Sequence, residues 1–115
     1  MSQVNMESVL CGYLQRHHTG RKNAASSKTL EAVFHVKGAD IRKMVNTLRC
    51  AGIPVCSDTA GYYYAGTQEE VNMTIAQLNS RITKIANAKN GLLASTEMFR
   101  TPAIDIQINL FVKEG

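Results

Sequence analysis

The basic side chains of this 115-residue chain are concentrated in one segment. Residues 16–49 hold eight lysines and arginines against two acidic residues, a net charge of +6, although the whole chain carries only +4. Guanidinium and ammonium groups bind phosphate oxygens, and arginine can also match the edge of a nucleobase. The charge distribution therefore favours a polyanion such as DNA as the partner, and a solvated basic face is the alternative.

A helix predicted within this segment separates its polar side chains from its apolar ones. Apolar residues recur at i, i+3, i+4 and i+7 from Ile41 to Leu48, which predicts one buried face. The candidates for contacts with the bases lie off that stripe or just before it, and they are Lys37, Arg42, Lys43 and Asn46. The candidates for contacts with phosphates, which position a protein without specifying a sequence, are Arg16, Arg21, Lys22, Lys28 and Arg49.

The residues around this helix predict a helix-turn-helix followed by a hairpin. Two amphipathic helices precede it, over residues 3–17 and about 27–34. Gly52 suits the left-handed residue that ends a helix, and Pro54 prevents its continuation. A turn-forming run at residues 57–61 then separates two short strands. This order is that of a winged helix-turn-helix, whose third helix lies in the major groove.

The same stretch resembles the N-terminal DNA-binding domain of the biotin repressor family. The shared residues are the Ala39-x-Ile41-x-Lys43 core, Thr47-Leu48-Arg49, Gly52, an apolar strand, and Gly61-Tyr62 at the return of the hairpin. The resemblance covers roughly the first 66 residues and implies DNA binding. It does not extend to the ligase domain, so it implies no biotin chemistry. Small phage and prophage proteins are similar to this stretch as well.

The predicted hairpin contains three consecutive tyrosines and an acidic tip. Tyr62 and Tyr64 share one face of their strand and are expected in the core, which leaves Tyr63 exposed. The tip, residues 58–60, has no basic side chain. The hairpin is therefore not expected to contribute strongly to base recognition.

Residues 67–91 are predicted to form a long helix. Thr67 and Glu70 make a capping box at its start, and Asn90-Gly91 predicts its end. Apolar residues recur in it at spacings of 4, 3, 4 and 3, which is a heptad seam typical of dimerisation. The seam residues are Val71, Ile75, Leu78, Ile82 and Ile85. Two heptads fit packing of this helix onto its own domain equally well.

Residues 92–115 are predicted to be a linker and an extended tail. Within it, Gln107-Ile108-Asn109-Leu110-Phe111 resembles the pentapeptide by which bacterial proteins bind the replication sliding clamp. The resemblance implies that Leu110 and Phe111 fill an apolar cleft on the clamp, and that Gln107 forms hydrogen bonds at its edge. The alternation of apolar and polar residues from Ile104 to Leu110 is also typical of a half-buried β-strand.

The sequence predicts binding rather than catalysis. Cys11, Cys50 and Cys56 lack the paired spacing of a zinc site. With no export signal, they are expected to be reduced thiols of a cytoplasmic protein, with Cys11 and Cys50 as small core residues. No nucleophile–base pair, carboxylate dyad or glycine-rich phosphate loop is present, so no enzymatic activity, cofactor or metal is expected. No apolar run is long enough to span a membrane.

The sequence as a whole predicts an α+β protein that binds duplex DNA. We expect a winged helix over residues 1–66, a long helix over 67–91 and a tail over 92–115. The favoured role is a bacterial or phage replication accessory that docks on the sliding clamp. Two alternatives stay open, a dimeric transcriptional regulator whose tail is a structural strand, and a winged helix that binds proteins and no DNA.

Replacing both Leu110 and Phe111 by alanine distinguishes the two interpretations of the tail. We expect the double variant to lose its roughly micromolar binding to the purified bacterial clamp, because both anchors would be gone. Its thermal midpoint should stay unchanged, since a docking peptide serves only the cleft of the partner. A large fall in the midpoint would contradict a docking peptide, because the loss of two buried side chains from a strand costs several kcal/mol.

Overall fold

The computed structural model describes residues 5–100 and shows an α+β fold. Four α-helices are joined by loops and one antiparallel hairpin: α1 Met6–His17, α2 Ser27–Phe34, α3 Gly38–Cys50, β1 Val55–Asp58, β2 Gly61–Tyr64 and α4 Gln68–Ser95. Two short 3-10 helices cover Arg21–Asn23 and Thr96–Phe99. The proposed docking peptide, residues 107–111, lies outside the described residues.

Side-chain caps and one glycine define the ends of α2 and α3. The Ser26 hydroxyl accepts a hydrogen bond from the Thr29 N–H at 3.1 Å and begins α2. The Asp40 carboxylate accepts from the Lys37 N–H at 3.1 Å, which places a negative charge in the first turn of α3. Gly52 follows α3 with a φ of 87°, the left-handed conformation expected of it.

One face of α3 lies in the centre of the hydrophobic core. Its four predicted inward residues are all buried: Ile41, Met44, Val45 and Leu48. They pack against buried leucines of α1 and α2 and against Val55 of β1. The predicted stripe is confirmed, and it fixes which side of α3 turns outward.

Cys50, which was expected in the core, lies at the surface. Cys50 is exposed, because it follows Leu48 by two positions and so points away from the buried stripe of α3. Val33 is exposed on α2, where Leu30 is the buried residue. Cys11 packs against the core while remaining half-buried.

A third stretch of backbone pairs with the hairpin. Its register pairs Val55 with Tyr64 and Asp58 with Gly61. Ala25, in the loop before α2, exchanges two 2.8 Å backbone hydrogen bonds with Tyr62 and so extends the hairpin on its second strand. The two chains approach closely at Gly61, where a Cβ would lie 2.2 Å from the Ala25 carbonyl oxygen.

Tyr63 is buried, and the expectation that it would be the exposed tyrosine was wrong. Only 1% of it is accessible, whereas Tyr62 and Tyr64 are half-buried against the core. The cause is α4, whose buried Thr74 covers the face of the hairpin that the core leaves free. The Ser57 N–H also donates to the Thr74 hydroxyl at 3.4 Å. The alternation of inward and outward residues predicts an exposed Tyr63 only if the outer face of the hairpin meets solvent. Here α4 covers that face, so Tyr63 is buried.

α4 begins as predicted and continues beyond its predicted end. The Glu70 N–H donates to the Thr67 hydroxyl at 3.2 Å, and the Thr67 N–H donates back to the Glu70 carboxylate at 3.3 Å. The helix then passes through Asn90-Gly91 to Ser95, so part of the expected linker is helical. A single helical glycine costs only about 1 kcal/mol relative to alanine, and the Leu-Leu-Ala that follows favours helix.

The chain divides into two compact units, each held together mainly by contacts among its own residues. The first unit runs to Ala76 and therefore includes the opening turns of α4. The second begins at Gln77 and holds the remainder of that helix and the 3-10 helix after it. Within residues 5–100, no helix has the length and apolarity needed to cross a membrane.

The close approach at Gly61 predicts a large cost for adding one methyl group there. Gly61→Ala places a Cβ against the Ala25 carbonyl at a residue whose φ is 137°, so both backbone strain and a clash result. We expect a loss of about 3 kcal/mol or more in the free energy of unfolding, measured with urea.

Gly52→Ala is the matched control for this prediction. Gly52 also has a positive φ, but nothing lies within 4 Å of its Cβ position. The loss in the free energy of unfolding should be only about 1–2 kcal/mol there, because the added methyl group causes backbone strain but no steric clash. Equal costs for the two variants would contradict the account of the hairpin edge.

Candidate nucleic-acid interface

The outward face of α3 is polar, basic and accessible. Arg42, Lys43 and Asn46 are all exposed, and they alternate along the helix with the buried residues of the core. Ala39, one turn before Lys43, is exposed on the same side and has a small side chain. A helix with this face can approach a groove closely at its N-terminal half.

The cations of this face are not neutralised within the described residues. Among residues 5–100, the ion pairs join Arg21 to Asp58 and Arg100 to Glu97. Lys37, Arg42 and Lys43 take part in neither pair. Their charges therefore remain available to an anionic partner, to the extent that salt does not screen them.

The other predicted phosphate contacts fall into two groups. Three of them are exposed side chains on different elements: Arg16 on α1, Lys22 on the first 3-10 helix and Lys28 on α2. The remaining two, Arg21 and Arg49, are held by other parts of the first unit. The two groups differ in their contacts, although the sequence presents all five as equivalent basic residues.

Arg21 ties the loop before α2 to the tip of the hairpin. Its Nε lies 2.5 Å from Asp58 Oδ2, and its backbone N–H donates to Glu70 Oε2 at 2.9 Å. The Ala60 N–H is the largest cause of a lowered pKa at Asp58, and the Arg21 guanidinium lowers it further. The pair neutralises the acidic tip of the hairpin and engages one of the five predicted phosphate-binding cations.

Arg49 connects the end of α3 to β1. Its Nε donates to the Val55 carbonyl at 2.7 Å, and its Nη2 donates to the Ser57 hydroxyl at 3.1 Å. The guanidinium is partly buried in this position. Arg49 therefore orients the hairpin relative to α3, a role that residue spacing alone did not indicate.

Glu70 connects more of the chain than the helix cap predicted from the sequence. Its carboxylate accepts hydrogen bonds from three backbone N–H groups, those of Arg21 at 2.9 Å, Gly66 at 2.7 Å and Thr67 at 3.3 Å. These bonds, that of Arg21 first, lower the pKa of Glu70 below its ordinary value. One side chain thus joins the start of α4 to the loop that carries Arg21 and Lys22.

A polar groove lies between the start of α2 and the hairpin tip. It is lined mainly by hydroxyl side chains and one carboxylate: Ser26, Ser27, Ser57, Asp58 and Thr59. Asp58 gives the groove a negative charge that Arg21 offsets. The groove therefore offers hydrogen-bonding groups but no surplus of positive charge.

Comparison with protein-family models, with curated proteins and with solved structures finds no match for this chain. The candidate interface accordingly rests on burial, charge and hydrogen bonding. Among residues 5–100, no three His, Cys, Asp or Glu side chains come together as a metal site. Cys56 is buried, and burial raises the pKa of its thiol.

The hydrogen bonds to Glu70 predict a loss of stability in acid. A carboxylate with a lowered pKa in the folded state binds fewer protons than in the unfolded state, so its contribution is present above its ordinary pKa of 4.5. That contribution disappears as the pH falls through the lowered value. Glu70→Gln should be less stable than the wild type at pH 7 and should change less between pH 7 and strong acid.

Glu69→Gln is the matched control, because Glu69 is exposed in the same helical turn and accepts none of these three bonds. Urea unfolding at a series of pH values measures both variants. If the stability of Glu70→Gln falls in acid as much as that of the wild type, protonation of Glu70 is not the cause of the loss of stability.

Proposed function

We propose that this protein is a winged helix-turn-helix protein that binds duplex DNA through α3. The observation that carries the proposal is the division of α3 into two faces. One face is buried in the core, and the other exposes Arg42, Lys43 and Asn46 without carboxylate partners among the described residues. Such a helix matches the geometry and the charge of a major groove.

The arrangement around α3 supports the winged-helix assignment. Three residues, 35–37, join α2 to α3, which is the turn length of a helix-turn-helix. The hairpin follows α3 closely, is bonded to it through Arg49 and is extended by Ala25 before α2. These features make the hairpin a rigid flank of α3, as the wing of such a domain requires.

Two side chains of α3 are suited to base recognition. Arg42 and Asn46 are one turn apart on the exposed face, at i and i+4. Arginine forms two hydrogen bonds with the O6 and N7 of guanine, and asparagine does so with the N6 and N7 of adenine. We assign Arg42 and Asn46 to contacts with neighbouring base pairs, and Lys37 and Lys43 to phosphates or base edges beside them.

The phosphate contacts follow from exposure. Arg16, Lys22 and Lys28 are exposed cations on the elements before α3, and we assign them to the DNA backbone. Arg21 and Arg49 are assigned to positioning, because their guanidinium groups bind Asp58 and β1. The hairpin has a neutralised tip, and we assign it to support of α3 rather than to base recognition.

The biological setting is a separate part of the proposal. A replication accessory that docks on the sliding clamp is supported by the sequence Gln107-Ile108-Asn109-Leu110-Phe111, which lies outside the described residues. A transcriptional regulator is the alternative, supported by the heptad seam of α4. A winged helix that binds proteins alone would show no salt-dependent binding to DNA, and this result distinguishes it from both.

Removing two cations from α3 tests the proposal. Arg42→Ala combined with Lys43→Ala should weaken binding to a mixed-sequence duplex of ~30 base pairs by about tenfold or more, because two contacts with the groove are lost. The slope of log affinity against log salt should also become shallower, since fewer counterions are released. Fluorescence anisotropy at several salt concentrations measures both quantities.

Arg81→Ala combined with Lys84→Ala is the matched control. It removes the same charge from two exposed residues of α4 and leaves α3 intact. We expect a much smaller change in affinity and slope, because a general loss of positive charge acts only at long range. Equal weakening by both pairs would show that net charge, and not the face of α3, holds the DNA.

A further inference from the structure

One ion pair joins the loop before α2 to the tip of the hairpin. Arg21 Nε lies 2.5 Å from Asp58 Oδ2, although the two residues are 37 positions apart in the chain. The Asp58 side chain is only 9% exposed, whereas the Arg21 side chain is 55% exposed. The pair therefore joins a largely covered carboxylate to a cation that still faces solvent.

The turn of the hairpin keeps Asp58 ionised and in place. The Ala60 N–H donates to Asp58 Oδ1 at 2.8 Å, and this bond is the largest cause of the lowered pKa of Asp58. The Arg21 guanidinium lowers the same pKa further. Asp58 therefore carries a negative charge at neutral pH, where it holds Arg21.

Glu70 adds a second negative charge beside Arg21. Its Oε2 accepts the Arg21 backbone N–H at 2.9 Å, and after the backbone bonds the charge of Arg21 also lowers the pKa of Glu70. By contrast, Arg16, Lys22 and Lys28 take part in no ion pair among residues 5–100. Carboxylates thus offset the charge of Arg21 and leave those three cations exposed.

The pair lies near the end of α3 that the proposed function assigns to DNA. A Cβ on Gly38, the first residue of α3, would lie 3.4 Å from the Ser27 Oγ. On its other side, the start of α2 meets the hairpin, because a Cβ on Gly61 would lie 2.8 Å from the Ser26 nitrogen. The start of α2 therefore lies between the start of α3 and the hairpin tip, so DNA on α3 would pass close to Asp58.

Asp58 opposes DNA binding at this place in two ways. A carboxylate near the duplex repels the phosphates, and a cation held in an ion pair is not available to neutralise one. Each phosphate that a protein cation neutralises releases counterions, and this contribution does not depend on the DNA sequence. Withholding one cation thus weakens binding to the DNA backbone in general.

We propose that the Asp58–Arg21 pair is an autoinhibitory contact that limits the affinity of this protein for the DNA backbone. In the free protein the pair fixes the loop against the hairpin, and loss of the Asp58 charge releases Arg21 to bind a phosphate. This inference rests on the proposed function, because it concerns the strength of the same interface.

Asp58→Asn tests the contact, because asparagine keeps an oxygen that accepts the Ala60 N–H and loses only the charge. We expect its affinity for a mixed-sequence duplex of ~30 base pairs to rise about fivefold in ~0.1 M salt, the effect of one added phosphate contact. The slope of log affinity against log salt should steepen by about 0.9. Fluorescence anisotropy measures both quantities, and circular dichroism checks that the variant keeps the fold.

Glu69→Gln is the matched control for the change in charge. Glu69 is exposed in the first turn of α4 and takes part in no ion pair among residues 5–100. Its replacement removes the same charge and releases no cation, so the affinity should change by less than about twofold. An equal gain in both variants would overturn the autoinhibitory contact, because net charge alone would then explain it.

Arg21→Ala, made in both backgrounds, identifies the cation that is released. In the wild type it removes a charge that Asp58 already offsets, whereas in Asp58→Asn it removes the new phosphate contact. Arg21→Ala should therefore weaken binding about threefold more in Asp58→Asn than in the wild type. Equal weakening in the two backgrounds would overturn the release of Arg21.

The outcomes distinguish this inference from the function on which it rests. Wild-type binding that Arg42→Ala with Lys43→Ala weakens, and that Asp58→Asn leaves unchanged, would overturn the autoinhibitory contact alone. Weaker binding by Asp58→Asn would also overturn it, because Asp58 would then orient Arg21 for a phosphate. Absence of salt-dependent binding in both the wild type and Asp58→Asn would contradict the proposed function and this inference together.

Discussion

The burial of one face of α3 is the constraint on which the rest of the site depends. Ile41, Val45 and Leu48 lie in the core, and burying each such side chain contributes about 1.5–3 kcal/mol. Turning the helix by one residue would exchange these three side chains for Arg42, Asn46 and Arg49. Burying charged groups in an apolar core without a counter-charge is costly. The outward orientation of the basic face thus follows from the packing of the apolar one, without any contact made by the basic side chains themselves.

Hydrogen bonds from three other parts of the chain hold the hairpin in place. Arg49 binds it from α3, Ala25 extends its second strand from the loop before α2, and Thr74 covers it from α4. Arg21 joins its tip to the same loop through Asp58. Two of the four arginines in the basic segment therefore stabilise the frame, and the other two, Arg16 and Arg42, remain exposed together with the lysines.

Local signals in the sequence predicted much of this fold. The buried stripe of α3, the glycine that ends α3 and the capping box of α4 depend on residues within a few positions of each other, so their spacing is sufficient. The burial of Tyr63 depends on α4, which covers the hairpin from eleven residues further along the chain at Thr74. The partners of Arg21 are separated from it by 37 and 49 residues, and no local pattern indicates them.

The central claim is that DNA lies against α3, and a map of the contacted residues tests it most directly. Titration of the isotope-labelled protein with a short duplex, followed by backbone amide chemical shifts, reports which elements meet the DNA. The account predicts the largest changes from Lys37 to Asn46, smaller ones around Lys22 and Lys28, and little change in α4 beyond Ala76. Changes concentrated in α4, with α3 unaffected, would contradict it.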